Sequence, residues 1–362
     1  MKLSDLSNLS IEKNHIMQII NNNEYNKSII NHYSRLAAEY PDVNFSSNIE
    51  NLENCNKFWV MDHYREQKIK DFKRTNLCKD KFCNNCKLVK QASRLAKFMP
   101  LIEDIAKDKY IYHLVLTVPN CKGSDLKDTI REKIFKSFAY LIDYLKLKKK
   151  IKGLDFEQYG YEGAIRSLEV TFKGDDYHPH LHCIIALEKP LDDNRHIRNT
   201  FSRSRKNGYR KFTDFEILIQ KIWYLLNNGE RVTKKAIEEL EIGYSCTIDP
   251  VDEKSVHEVF KYMTKSTDEK GNLISYENFK TLREALYKVR QIQGYGCFYN
   301  VKDDDSIIEQ FDEIYDMYIE LLRAKENPLE VCETPEDLLK DNQNKIISRK
   351  IVHKHLRELY SL

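Results

Sequence analysis

The sequence predicts an α+β fold: a domain with a central antiparallel sheet flanked by helices, a small cysteine module before it and a helical region after it. Two observations carry this. Short apolar, β-branched runs closed by turn residues alternate with longer stretches of helical period, in the order β-α-β-β-α-β-α. Four of the nine cysteines fall within residues 51–105, among many lysines. The 362 residues divide accordingly into a polar N-terminal arm (1–50), a zinc-like cysteine module (51–105), the α+β domain (106–300) and a helical C-terminal region (301–362) that is acidic and then basic.

The elements follow in chain order. Residues 1–50 are rich in Asn and Ser and weakly periodic, a mobile arm with room for one helix. His113–Val118 is a strand closed by Pro119-Asn120. Ser124–Lys150 has helical spacing through Leu126, Ile130, Ile134, Phe138, Leu141 and Leu145, with Ser124 as N-cap. Its basic end, Lys146–Lys152, suits the helix dipole. Ala164–Lys173 and Pro179–Leu187 are strands around a Gly-Asp-Asp-Tyr turn, and Phe212–Leu226 is an amphipathic helix. Tyr244–Ile248 reads as another strand, and 252–267, 278–292, 305–325 and 344–361 read as helices.

Composition excludes several classes. Hydrophobic residues make up 41% of the chain and charged residues 32%, and no stretch approaches the ~20 apolar residues of a membrane span. The N-terminal MKLSDLSNLSIEKNH lacks a signal-peptide core, so a cytoplasmic protein with no membrane partner is expected. Nine cysteines, an odd number, favour metal ligation and free thiols over a disulfide framework. Residues 301–341 carry fourteen acidic and four basic residues, net −10; since the whole chain is +3, the rest is +13. A basic body of this kind points to a nucleic-acid partner.

The sharpest chemical signal is Tyr177-His178-Pro179-His180-Leu181-His182. Alternate strand residues share a face, so His180 and His182 project together while Leu181 turns inward. If the hairpin turns through Asp175-Asp176, residue 169 pairs with 182 and Glu169 joins the two imidazoles. A His₂Glu set suits Mn²⁺ or Zn²⁺, and Mg²⁺ when phosphate supplies further ligands. The plain alternative is a pair of structural histidines.

A second signal lies in Glu258-Val-Phe-Lys-Tyr262-Met-Thr-Lys265. On a helix, Glu258, Tyr262 and Lys265 form one stripe. A lysine and a bound phosphate can stabilise a phenolate nucleophile, and the carboxylate can act as general base. Ser255-x-x-Glu258 also matches a capping box, in which Glu258 only satisfies a backbone amide.

Cys78-x4-Cys83-x2-Cys86 resembles half of a structural zinc site, with Cys55 or His63 as fourth ligand, and free thiols in a basic helical segment are the plain alternative. The cysteines at 121, 183, 246, 297 and 332 are scattered and read as buried and inert. Residues 195–211 hold Arg195, Arg198, Arg203, Arg205, Lys206, Arg210 and Lys211 with no acid, a candidate DNA-backbone contact. Phe201 and Tyr209 in the same stretch could stack on unpaired bases, and a solvated loop is the plain alternative.

In their order these segments resemble the initiator (Rep) proteins of rolling-circle plasmids, single-tyrosine members of the HUH endonuclease superfamily. The resemblance runs from about Cys55 to Tyr299 and rests on Cys55…Cys78-x4-Cys83-x2-Cys86, Leu114-Val-Leu-Thr-Val-Pro-Asn, Glu169-Val-Thr, His178-Pro-His-Leu-His182 and Glu258…Tyr262-x-x-Lys265. It implies His180 and His182 as the metal-binding pair, Glu169 as third ligand and His178 as an outer neighbour. It implies Tyr262 as the nucleophile that nicks one strand, Glu258 as the base activating the terminating water and Lys265 as the motif lysine. Mg²⁺ or Mn²⁺ at the histidines, a structural Zn²⁺, plasmid double-strand origin DNA, single-stranded DNA, a host helicase and polymerase, and possible homo-oligomerisation belong to the same expectation. Relatives usually carry Arg before the second cysteine of the module and Pro after it, where this chain has Lys81-Phe82 and Asn84. Competing readings are a histidine-triad nucleotide hydrolase, which Pro179 fits poorly, and a non-catalytic zinc-dependent DNA-binding regulator; a transposase or relaxase of the same superfamily is a third.

Overall fold

The structure, a computed structural model, describes residues 10–55, 58–64, 70–75, 77–192, 194–197, 211–252, 256, 259, 273–301, 332–333 and 346–353. Two compact units are present, Met1–Lys90 with Asp304–Leu362, and Gln91–Asp303.

In the first unit, α1 (Ser10–Glu39) and α2 (Ser46–Asn54) occupy the stretch whose polar composition suggests a mobile arm. The physical reason is a stripe hidden among asparagines. Tyr25, Ile29, Tyr33 and Leu36 follow helical spacing and are all buried. Strands β1 (Phe58–Tyr64) and β2 (Lys70–Thr75) pair antiparallel. The expected helix over 344–361 is not formed at its centre. Ile346–His353 is instead a strand antiparallel to β1, from Phe58↔His353 to Tyr64↔Ile346, with Cys332–Glu333 along its other side. Ile346, Ile347, Ile351 and Val352 are β-branched and favour the pleated backbone once a partner strand exists. The expected helix at 305–325 lies outside the described residues.

Helix α3 (Asn84–Ile105) contributes Phe98 and Ile102 to the core of the second unit. There, β3 (Tyr110–Thr117), β4 (Cys121–Lys122), β5 (Tyr161–Lys173), β6 (Asp176–Leu187), β9 (Cys246–Pro250) and β10 (Ile292–Gly296) form the main sheet. Its order is β10-β5-β6-β3-β9, with β4 beside the start of β6, and every pairing is antiparallel. A separate pair, β7 (Arg195–Ile197) and β8 (Lys211–Thr213), precedes α6 (Asp214–Asn227). The helical stretch expected over 124–150 is three pieces: α4 (Gly123–Asp128), a wide π-helical segment Thr129–Phe135 and α5 (Lys136–Leu145). Lys122 stands at its N-cap, not Ser124. The helix expected over 278–292 is Tyr276–Ala285, and Ile292 already begins the edge strand β10.

The two faces of the sheet differ in chemistry. Leu114, Leu116, Leu168, Leu181, Cys183 and Ile185 share one face and are fully buried. Helix α6 is tied to the sheet by Trp223 Nε1, which donates to the Thr117 carbonyl at 2.7 Å. Glu216 adds a second tie. Thr213 and Glu216 cap the helix reciprocally, and the other Glu216 oxygen accepts the Ile248 backbone N–H at 2.7 Å. Glu216 is fully buried, so Glu216→Ala should strand two backbone donors and destabilise this unit by about 3 kcal/mol, readable as a lowered denaturant midpoint.

Candidate metal centre and cysteine cluster

The second face of the sheet carries the histidines. Gly174 adopts φ +59° and, with Asp175, forms the two-residue loop between Lys173 and Asp176. Only glycine takes that first loop position without strain, which is why the turn sits one residue earlier than an Asp175-Asp176 loop. The register therefore differs from the expected one: Glu169 pairs with His180, and Ser167 pairs with His182. A slip of two residues preserves the face, so the expected grouping survives the corrected pairing.

The group is tight. His180 Nε2 and His182 Nε2 both lie 3.1 Å from the same Glu169 oxygen, Oε2. Glu169 is 6% exposed and each imidazole 11% exposed, leaving a narrow opening to solvent. The His180 Nδ1 donates to the His178 carbonyl at 3.2 Å, which orients its Nε2 toward the carboxylate. Converging lone pairs of this kind fit a cation, and the nitrogen–oxygen donor set suits Mn²⁺, Zn²⁺ or Mg²⁺. Ser167, which pairs with His182 across the strands, is buried, and its Oγ has no hydrogen-bond partner among the described residues.

His178 stands outside this convergence. Its Nδ1 meets Asn120 Oδ1 at 2.8 Å, and Asn120 donates onward to Asp176. Burial and then the neighbouring His180 hold its imidazole below the usual range. Sequence reasoning missed His113, whose Nε2 lies 3.2 Å from His182 Nδ1 with the rings stacked. The signal was present as a lone polar residue in an apolar strand, legible only once β3 is known to neighbour β6.

Tyr262, Glu258 and Lys265 lie outside the described residues. Val256 and Val259, helical and buried, belong to the same apolar cluster as Ile165 and Ile184, the latter two residues beyond His182 on its face. Of the basic stretch, Arg195 and Lys211 fall in the β7–β8 pair, where Arg195 faces Thr213; Arg198, Arg203, Arg205, Lys206 and Arg210, with Phe201 and Tyr209, lie outside the described residues.

In the first unit four sulfurs converge. Cys55 Sγ is 3.4 Å from Cys83 Sγ and 3.7 Å from Cys86 Sγ, and Cys78 Sγ is 3.5 Å from Cys86 Sγ. Cys55 is thus grouped with the other three, while the side chain of His63 lies outside the described residues. Burial alone would push the Cys83 thiol up. Hydrogen bonds from Cys55, Cys78, Cys86 and the Cys86 backbone outweigh it and hold Cys83 well below its usual range. Helix α3, starting at Asn84, aims its N-terminal amides at this end. Asn26 of α1 donates from Nδ2 to Cys83 Sγ at 3.0 Å, and Tyr33 of α1 donates to the buried Asp80 at 2.6 Å. Neither residue was singled out from sequence, because asparagine and tyrosine are common in this chain. Four converging sulfurs, three of them buried, with Cys83 held low and hydrogen-bonded by Asn26, have the donor chemistry of a structural zinc site. Among the remaining cysteines, Cys183 and Cys246 are buried as expected, whereas Cys297 is exposed and Cys121 only half-buried. No helix among the described residues is long and apolar enough to cross a membrane.

An antiparallel α+β domain with a His₂Glu cluster, next in sequence to a cysteine module, defines a class that comparison with known families makes specific. Residues 69–197 span three of the four clustered cysteines and the whole Glu169–His180–His182 group, and they match a family described as replication protein. The chain is 26% identical over 279 residues to a protein rep of a Bacillus species, covering 73% of this chain and 82% of that relative. It is 37% identical over 145 residues to a protein rep of Staphylococcus aureus, covering 38% of this chain and 57% of that relative. No solved structure matches. Over these stretches the chain is similar to replication proteins.

Proposed function

We propose that this chain is a plasmid replication initiator, which starts replication by nicking one strand of the double-strand origin, in the domain 106–300, with Tyr262 as nucleophile. The observation that carries the proposal is the convergence of His180, His182 and Glu169 on one sheet face. Val256 and Val259, just before Tyr262 in sequence, are buried in the apolar cluster that continues that face.

Glu169, His180 and His182 would hold Mg²⁺ or Mn²⁺, which supplies charge neutralisation at the scissile phosphate. Tyr262 gives up its phenolic proton and its oxygen forms a bond to phosphorus. The bond to the 3′ oxygen breaks, and that oxygen takes a proton to become the free 3′-OH primer. Lys265 stabilises the phenolate, whose ordinary pKa near 10 makes it a poor nucleophile unaided. The 5′-phosphotyrosyl link conserves the phosphodiester energy, so strand transfer needs no nucleotide cofactor. At termination Glu258 takes a proton from the water that attacks the scissile phosphorus of the regenerated origin, and the displaced 3′ oxygen leaves and takes up a proton as 3′-OH. Arg195, Arg198, Arg203, Arg205, Lys206, Arg210 and Lys211 contact the phosphate backbone, and the exposed 3′ end recruits a host helicase and polymerase. Cys55, Cys78, Cys83 and Cys86 would hold a structural Zn²⁺.

The test is incubation with a supercoiled plasmid carrying the gene, resolved for nicked circles and for protein covalently attached to DNA. Chelation should abolish both products, and Mg²⁺ or Mn²⁺ should restore them. Glu169→Gln or His180→Ala should lower nicking at least ~10²-fold while leaving duplex binding nearly unchanged, because phosphate contacts elsewhere supply that affinity. Undiminished nicking after exhaustive dialysis against chelator would remove the metal from the mechanism.

A further inference from the structure

The two imidazoles that face Glu169 are held from behind in different ways. His180 donates its Nδ1–H to a backbone carbonyl, an acceptor that cannot change role. Among the described residues no carbonyl meets the His182 Nδ1; its partner there is the His113 Nε2 at 3.2 Å. Either imidazole could carry the proton between them. If His113 carried it, the His182 proton would move to Nε2, the nitrogen aimed at Glu169, and that lone pair would be lost to a cation.

The sheet register bears on this choice. His113 lies on β3, and its direct neighbour across β9 is Asp249, with β-carbons about 5 Å apart on the same face. A carboxylate opposite His113 favours a proton on the His113 Nδ1. That leaves the His113 Nε2 as the acceptor for His182. The His113 and His182 rings are nearly parallel, 10° apart, and His113 is half-buried among strand neighbours, so the pair cannot readily rotate apart.

We propose that His113 is a positioning residue for the candidate metal centre: it accepts the Nδ1–H of His182 and so presents the His182 Nε2 lone pair to the ion. This rests on reading Glu169, His180 and His182 as a metal site. Outer partners of metal-bound histidines typically contribute about 10–100-fold to metal affinity.

The experiment titrates full-length protein with Mn²⁺ alone by calorimetry, without DNA. His113→Leu, which has no acceptor, should weaken Mn²⁺ binding about 10–100-fold. His113→Gln places an amide oxygen near the former Nε2 position and should recover most of the affinity. His113→Asn, equally polar but one methylene shorter, should not; this pair decides the matter if the leucine variant fails to fold. His180→Ala is the control that separates the two claims. If it loses Mn²⁺ while all three His113 variants bind as the wild type does, the positioning role is overturned and the metal centre stands. If His180→Ala binds Mn²⁺ unchanged, the metal reading itself fails and takes the positioning role with it.

Discussion

Tyr262→Phe should eliminate both origin nicking and the covalent protein–DNA adduct. The substitution keeps the aromatic ring and removes only the oxygen proposed to bond to phosphorus, so no weaker nucleophile is left in its place. Binding to origin duplex should persist, since phosphate contacts made elsewhere supply that affinity. Glu258→Gln separates the neighbouring role. If Glu258 activates the terminating water, initiation continues, termination slows by about 10²–10⁴-fold, and displaced single strands longer than one plasmid unit accumulate. Normal termination together with a lower melting temperature would identify Glu258 as a helix cap paired with Ser255 instead. A residual adduct in Tyr262→Phe would move the nucleophile to another residue.

Cys83→Ser should cost the first unit its fold. Cys83 lies at hydrogen-bond distance from Cys55 and receives Asn26 as well, so its loss disturbs α1, α2 and the start of α3 together. Structural zinc in small modules is worth about 10–16 kcal/mol, comparable to the whole stability of a domain. Zinc should co-purify at one ion per chain by elemental analysis. A strong chelator should remove it with a cooperative loss of helical signal. Acid should do the same, because the ligands bind as thiolates. Active protein that contains no zinc would dispose of the site, leaving a buried cluster of thiols.

The candidate centre was legible in the sequence to an unusual degree, and the reason is geometric. Side chains on a strand alternate with period two, so His180, Leu181 and His182 declare their faces without knowledge of any neighbour. Glu169 could be added because a hairpin joins its strand to theirs through a short turn. The exact pairing was misplaced by two residues, since Gly174-Asp175 and Asp175-Asp176 are both plausible loops until backbone dihedrals distinguish them. The helix read over 344–361 failed for a related reason. A segment with four β-branched residues can satisfy either period locally, and pairing with residues some 290 positions earlier decides the outcome.

The sequence by itself determined which chemistry-bearing motifs the chain carries and their order: clustered cysteines, a two-histidine strand and the Glu258–Tyr262–Lys265 spacing, within a basic body. Those are local properties, set by residue type and short-range spacing. Only the tertiary structure decided which atoms meet. It put Glu169 against His180 and chose Cys55 to complete the sulfur cluster. It also turned an asparagine-rich arm into the helix that hydrogen-bonds a cysteine, and set His113 behind His182. Each of these contacts joins strands or helices whose adjacency depends on where the whole chain buries its apolar surface, and no short-range spacing encodes that.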